Sequence, residues 1–221
     1  MDLAVLRQRA SREGWVVCRG SSRQFWVKAQ LAGWKEVPVR KGEGPIRELR
    51  PLSPDVAYPR SLSAVYGTGA QPLHTDGAHL RIPPDVVVLF GEVPNATPTL
   101  VWSDRSVVSE KVTFMKSLPE SVHEGLFVVG GGVDKFLAPA HEYRTGWRYD
   151  PGCMTAADQR AREAMEHIEG FRESAFIHEW TESDMILMID NRISLHARSA
   201  VQEGDESRVL KRVAFNAGGK S

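Results

Sequence analysis

Between Ser61 and Asn216 the chain is cut into short runs rich in β-branched and aromatic residues, most of them closed by Gly, Pro, Asn or Asp. SLSAVYG, PLHTDGAH, DVVVLFG and PTLVWSD occupy the middle, and AFIHEWTESDMILMIDNRISLHARSAV and SRVLKRVAFN the C-terminal third. Runs of this length and composition read as strands separated by turns. Helical spacing occurs in two places. DLAVLRQRASREG runs to a glycine before the short strand WVVCRG, and TAADQRAREAMEHIEG runs from a Thr155 cap to Gly170. Many short strands with few helices predict a mainly β architecture with flanking helices, a sandwich or jelly roll.

A length of 221 residues suits one β-rich domain covering residues 1–221. Residues 1–54 read as a less regular N-terminal flank packed on a core of 55–221. Its stretch GWKEVPVRKGEGPIRELRPLSP is dense in Pro, Gly and charge, as expected of a surface connection. The insert VDKFLAPAHEYRTGWRYDPGCM, about 133–154, is a candidate lid, since long irregular loops in compact domains are usually functional. Arg148, with Tyr143, Trp147 and Tyr149, is a candidate substrate contact from that lid. Basic and acidic residues balance at 28 each, so no nucleic-acid surface is expected. No apolar run is long enough to span a bilayer and no apolar leader opens the chain, so no membrane partner is expected. Two cysteines make no disulfide framework, which fits a cytoplasmic location.

One strand carries chemistry. In QPLHTDGAHL, alternation puts His74 and Asp76 on one face and Thr75 on the other. An imidazole and a carboxylate side by side are two thirds of a metal site. In DMILMIDNRISLHARSAV an apolar run breaks at the turn-forming pair Asp190-Asn191, and the next strand supplies His196, 120 residues after Asp76. Two histidines and one carboxylate on one face of a metal form the triad of non-haem Fe(II) oxygenases, with the opposite positions open. The remaining histidines, His79, His123, His141, His167 and His178, have no partner at ligand spacing and read as structural or solvated. In SRVLKRVAFN, Arg208, Leu210 and Arg212 share a face. Two guanidiniums facing an interior would each require an anion, and the planar fork of arginine suits a carboxylate.

YPRSLSAVYG, PLHTDGAHL followed by PP, TPTLVWSD, DNRISLHARSAV and RVLKR occur in an order that resembles the taurine dioxygenase superfamily of Fe(II)/2-oxoglutarate-dependent oxygenases, which includes the clavaminate synthase-like enzymes. The resemblance covers about Tyr58 to Phe215 and implies a double-stranded β-helix, or jelly roll. It implies His74, Asp76 and His196 as iron ligands, and Arg208 on the distal carboxylate of 2-oxoglutarate. Thr99 would hydrogen-bond that cosubstrate, with Thr97 a rival because NATPT lacks the paired glycine usual in the family. Arg212 would face an acidic group of the prime substrate or else form an interior pair with a carboxylate such as Asp190 or Asp104. The implied activity is a dioxygenase that hydroxylates, or otherwise oxidises at C–H, a small and carboxylate-bearing metabolite such as an amino acid or a natural-product intermediate. Its partners would be that substrate, 2-oxoglutarate and dioxygen. With Asp76 in place no coordination position is vacated for chloride, so halogenation is not expected. The alternatives are a non-oxidative metal-dependent cupin-type enzyme and a non-catalytic small-molecule binding barrel.

Overall fold

The computed structural model describes the backbone of every residue except 39–43, 45, 60, 110–111, 131–133 and 219–221; residue 133, the first of the candidate lid, lies outside the described residues. Two antiparallel sheets carry the architecture. In the larger, the strand order is Trp15–Arg19, Met185–Asp190, Val86–Gly91, Leu210–Asn216 and Lys35–Glu36, with Arg47–Leu49 also paired to Leu210–Asn216. In the smaller, Asn95–Ser103 lies between Phe176–Trp180 and Ser194–Arg198.

Val86–Gly91 is apolar at nearly every position because both faces of its sheet are covered. Val87 and Leu89 pack with Leu187, Ile189, Leu210 and Ala214 against Val101 and Trp180 of the smaller sheet. Val86, Val88 and Phe90 face the other way, onto Leu3, Leu6, Ala10, Phe25 and Ala29 of two helices, Leu3–Glu13 and Ser22–Leu31. The smaller sheet is also covered twice. Leu100, Trp102, Leu195 and Ala197 pack toward Ala161, Ala164 and Ile168 of the helix Gln159–Gly170. Burial on both faces erases the two-residue alternation that marks a half-exposed strand.

The first helix ends as its sequence predicts. Asp2 caps its N-terminus by accepting from the amides of Ala4 and Val5, and Gly14 closes it at φ 100°. A side chain at Gly14 would stand 2.5 Å from Ser103 and Ser194, while Ser194 Oγ donates to Gly14 O at 2.9 Å. The helix is thereby fastened to the start of the strand that carries His196.

Several local expectations change. SLSAVYG is not a strand: Ser61 accepts from Ala64 N at 3.2 Å and starts a helix, Leu62–Tyr66, because a capping serine outweighs the weak β preference of a five-residue run. The long helix is capped by Asp158, not Thr155, which lies in the strand Met154–Ala156. The expected surface connection holds the strand Arg47–Leu49, and the N-terminal stretch adds a helix, Ser22–Leu31, capped by Ser21. Within the insert, Trp147 and Tyr149 are buried in the core and Tyr143 is exposed. No described helix is long and apolar enough to cross a membrane.

His178, one of the histidines read as structural or solvated, has a measurable consequence. It is buried on Phe176–Trp180, its ring against Trp180, and burial lowers its pKa to about 4. An unfolded histidine titrates near 6.5, so between pH 6.5 and 4 the unfolded chain binds more protons and folding stability falls on acidification. The expected loss from this group at pH 5 is roughly 1–2 kcal/mol after allowance for solvent screening. Denaturant titrations at pH 7.5 and 5 should show a smaller acid loss in His178→Gln than in the parent; equal losses would remove His178 as a cause.

Candidate metal centre

His196 sits inside Ser194–Arg198, paired to Val101. His74 is bridged to its other side, the amide of each donating to the carbonyl of the other at 2.9 Å. This closed antiparallel pair sets the two rings side by side, centroids 4.5 Å apart. Thr75 points away, its hydroxyl accepting from Tyr149 N at 2.8 Å and donating to Tyr149 O at 3.2 Å. PLHTDGAH is not the strand its sequence suggests: only His74 is bridged, Asp76 already lies in the turn that follows, with Gly77 at φ 70°, and it is this turn that brings the carboxylate beside His74. A ligand atom from each of His74, Asp76 and His196 lies within 4.8 Å of the others, the one such group of histidine, cysteine and carboxylate side chains among the described residues.

The hydrogen bonds of the three leave a gap between them. His74 Nδ1 is 3.0 Å from Pro72 O; a carbonyl can only accept, so Nδ1 donates there and Nε2 is the ring nitrogen left to face a metal. Asp76 Oδ1 accepts from Arg212, whereas Oδ2 is buried without a hydrogen bond, 3.8 Å from His196 Nε2. His196 Nδ1 is likewise buried and without a partner. Burial alone would raise the Asp76 pKa, but Arg212, followed by His196, His74 and Arg47, holds it below the usual carboxylate value. Burial, then His74, lowers the His196 pKa to about 3. The result near neutral pH is an ionised carboxylate and a neutral imidazole, the protonation states that ligate a cation. A divalent ion among these atoms would satisfy the buried Asp76 Oδ2, and two imidazoles with one carboxylate are a donor set that fits iron.

The group opens into a cavity of about 200 Å³ that Thr99, Arg208, Leu210 and Arg212 also line. The shared face expected of Arg208, Leu210 and Arg212 is therefore present, although Arg208 precedes the strand Leu210–Asn216. Arg208 Nη1 donates to Asn95 Oδ1 and to Thr97 O, both at 2.9 Å, while its Nε is buried without a partner. No carboxylate pairs with it among the described residues; burial, then Arg198, lowers its pKa to about 10. It is a desolvated cation facing a cavity. Thr99 lines the cavity and accepts from Trp180 Nε1 at 3.1 Å, which leaves its hydroxyl hydrogen available. The Thr97 hydroxyl is occupied instead, donating to Asp205 at 2.5 Å and accepting from Gln202 N at 3.0 Å.

Arg212 faces the cavity but is paired with Asp76, not with Asp190 or Asp104. Asp190 takes Arg7, and Asp104 takes Arg105 and His141. Arg148 does not line this cavity; its guanidinium donates to the carbonyls of Ala78, Leu80 and Arg81. Arg198 does line it, with Nη2 donating to Gly67 O and Gly69 O and Nε buried without a partner. Sequence reasoning missed Arg47 and Leu49, which enter the wall from the stretch read as a surface connection, and Asp150 and Cys153 from the end of the insert. Their only signal was proximity to a candidate lid or to charge-rich sequence, which does not single out a residue.

No family model matches the chain, and no curated protein matches it. Solved structures do share its fold. An asparagine oxygenase aligns over 97% of this chain and 77% of its own at 17% identity, with a TM-score of 0.71. The non-heme iron oxygenase OrfP, in complex with Fe and alpha-ketoglutaric acid, aligns over 97% and 79% at 18% identity, TM-score 0.65. PvcB, an Fe, alpha-ketoglutarate dependent oxygenase from an isonitrile synthetic pathway, aligns over 97% and 80% at 17% identity, TM-score 0.62.

Proposed function

We propose that this protein is an Fe(II)/2-oxoglutarate-dependent dioxygenase acting at a C–H bond of a small amino-acid-like substrate, and that its two main sheets form a double-stranded β-helix. The observation that carries the reading is one cavity lined both by His74, Asp76 and His196, whose ligand atoms converge, and by Arg208, whose guanidinium makes no ion pair among the described residues. His74, Asp76 and His196 would hold the iron, which with 2-oxoglutarate and dioxygen supplies the oxidising chemistry. Arg208 would take the distal carboxylate of 2-oxoglutarate, with Thr99 O–H as a second donor to the cosubstrate. Arg212 has guanidinium hydrogens beyond the one given to Asp76, and these would meet an acidic group of the substrate. Arg148 would act by holding residues 78–81 beside the cavity. Amino acids named for proteins of this fold, asparagine for one and a bound (3S)-hydroxy-L-Arg for another, support an amino acid.

A non-oxidative metal enzyme would use the same triad but leave Arg208 without an anion. The two readings separate in an anaerobic titration of the protein with Fe(II) and then 2-oxoglutarate. The expected result is a weak visible charge-transfer band that appears only with both; metal uptake with no band at saturating 2-oxoglutarate would favour the non-oxidative enzyme.

A further inference from the structure

The turn Asp190-Asn191-Arg192 joins the strands Met185–Asp190 and Ser194–Arg198, and each of its residues is tied to a different part of the chain. Asp190 pairs with Arg7 of the first helix, and Arg192 with Asp85. The carbonyl of Arg192 accepts from Trp147 N at 2.8 Å, and its approach leaves no room for a side chain at Gly146, where a Cβ would come within 2.1 Å. The turn itself is thus held without Asn191.

Asn191 does something else. Its side chain is buried, 1% exposed, and every polar contact it makes is to backbone. Asp76 N donates to Asn191 Oδ1 at 3.1 Å, and Asn191 Nδ2 donates to Asp76 O at 3.0 Å and to Pro84 O at 2.9 Å. The amide thus grips both backbone groups of Asp76, as a neighbouring strand would, where Gly77 has already turned the chain out of register with Ser194–Arg198. The contact to Pro84 closes the 77–84 loop onto the same side chain. His74 is fixed to His196 by backbone pairing two residues earlier, so without Asn191 the carboxylate would be carried by a turn with no direct tie to the turn that leads into the strand of His196.

We propose that Asn191 is a positioning residue for the metal centre: its carboxamide locks the Asp76 backbone to the turn that leads into the strand of His196 and so sets the distance between the carboxylate and the two imidazoles. It touches neither metal nor substrate, and the inference rests on the reading of His74, Asp76 and His196 as metal ligands. Because the three contacts need one acceptor and two donors from one planar group, no other common residue of that size replaces it. Asn191→Ala removes all three. Asn191→Asp keeps an acceptor for Asp76 N but sets a carboxylate oxygen against two carbonyls, which repel it.

Anaerobic titration with Co(II) tests this without turnover, since its visible bands report coordination number and geometry. Asn191→Ala and Asn191→Asp are expected to weaken Co(II) binding by about 10- to 100-fold, the scale of lost outer-shell support, with altered band positions at saturation. A core variant remote from the site, Ile186→Ala, should lower the melting temperature and leave Co(II) affinity and spectrum unchanged. If both Asn191 variants fold, melt at lower temperature and bind Co(II) with the parental affinity and spectrum, Asn191 is structural only and the proposal fails. If one does not fold, the other decides. A parent protein that takes up no Co(II) would overturn the metal reading itself, a result distinct from failure at Asn191 alone.

Discussion

Replacing the proposed ligands His74, Asp76 and His196 is expected to abolish turnover in every case but to affect the fold very unequally. His74→Ala removes a ring whose Nδ1 makes one hydrogen bond, to Pro72 O, and whose strand pairing is entirely backbone. Metal binding and 2-oxoglutarate-dependent succinate formation should vanish while stability changes by no more than about 1 kcal/mol, the worth of one hydrogen bond. Asp76→Ala also leaves the part-buried guanidinium of Arg212, its side chain 12% exposed, without its carboxylate. Removing one partner of a buried pair costs about 3–5 kcal/mol, so the metal-free variant should unfold at much lower denaturant concentration than His74→Ala. The double variant Asp76→Ala/Arg212→Met should recover part of that loss without recovering metal, because the unpaired charge is gone but the ligand is still missing. Urea melts of the metal-free proteins, with iron content after reconstitution, check all three. Equal stability of the two single variants would mean that Arg212 finds another anion or water; iron content unchanged in His74→Ala would dismiss the site.

The parts of this site that were legible in the sequence are its residue types and their order along the chain. His196 lies on a strand after a turn, as read, but alternation does not place the rest: Asp76 lies in a turn and Arg208 ahead of its strand, and the structure still gathers them with His74, Leu210 and Arg212 around one cavity. What was not legible depends on long-range pairing. Arg47 enters the wall because its short strand pairs with Leu210–Asn216, a contact that composition cannot announce in a stretch dense with Pro, Gly and charge. Asn191 read as a turn former, which it is, but its grip on Asp76 spans 115 residues. The pairing of Arg212 with Asp76 was missed for the same reason: the face was predictable, but which carboxylate it would meet was decided by how the sheets stack. Fold class suffered least, since the sum of many short strands survives the loss of SLSAVYG to a helix.

Arg208→Ala is expected to weaken 2-oxoglutarate binding by roughly one and a half to three and a half decades. Truncating one member of a desolvated charge-assisted pair costs about 2–5 kcal/mol, at about 1.4 kcal/mol per decade. The upper end is plausible here because the guanidinium is already desolvated and held by Asn95 and Thr97 O, so little ordering is left to be done on binding. Those two contacts complicate the test, since their loss alone would loosen the chain around Asn95 and lower stability whatever the ligand. A cycle on the ligand separates the effects. 2-Oxovalerate keeps the 2-oxo acid that would meet the metal but ends in a methyl group where 2-oxoglutarate has its distal carboxylate. The parent should bind it far more weakly than 2-oxoglutarate, whereas Arg208→Ala should bind the two almost equally; Arg208→Lys should fall between, keeping the charge but not the fork. Fe(II) affinity measured beforehand should change little, because Arg208 makes no contact with the triad. If Arg208→Ala lost affinity for both acids by the same factor, the arginine would be shaping the cavity through Asn95 and Thr97, and the distal carboxylate would have to be met by another cation of the wall, of which Arg212, four residues further along the same face, is the nearest in sequence.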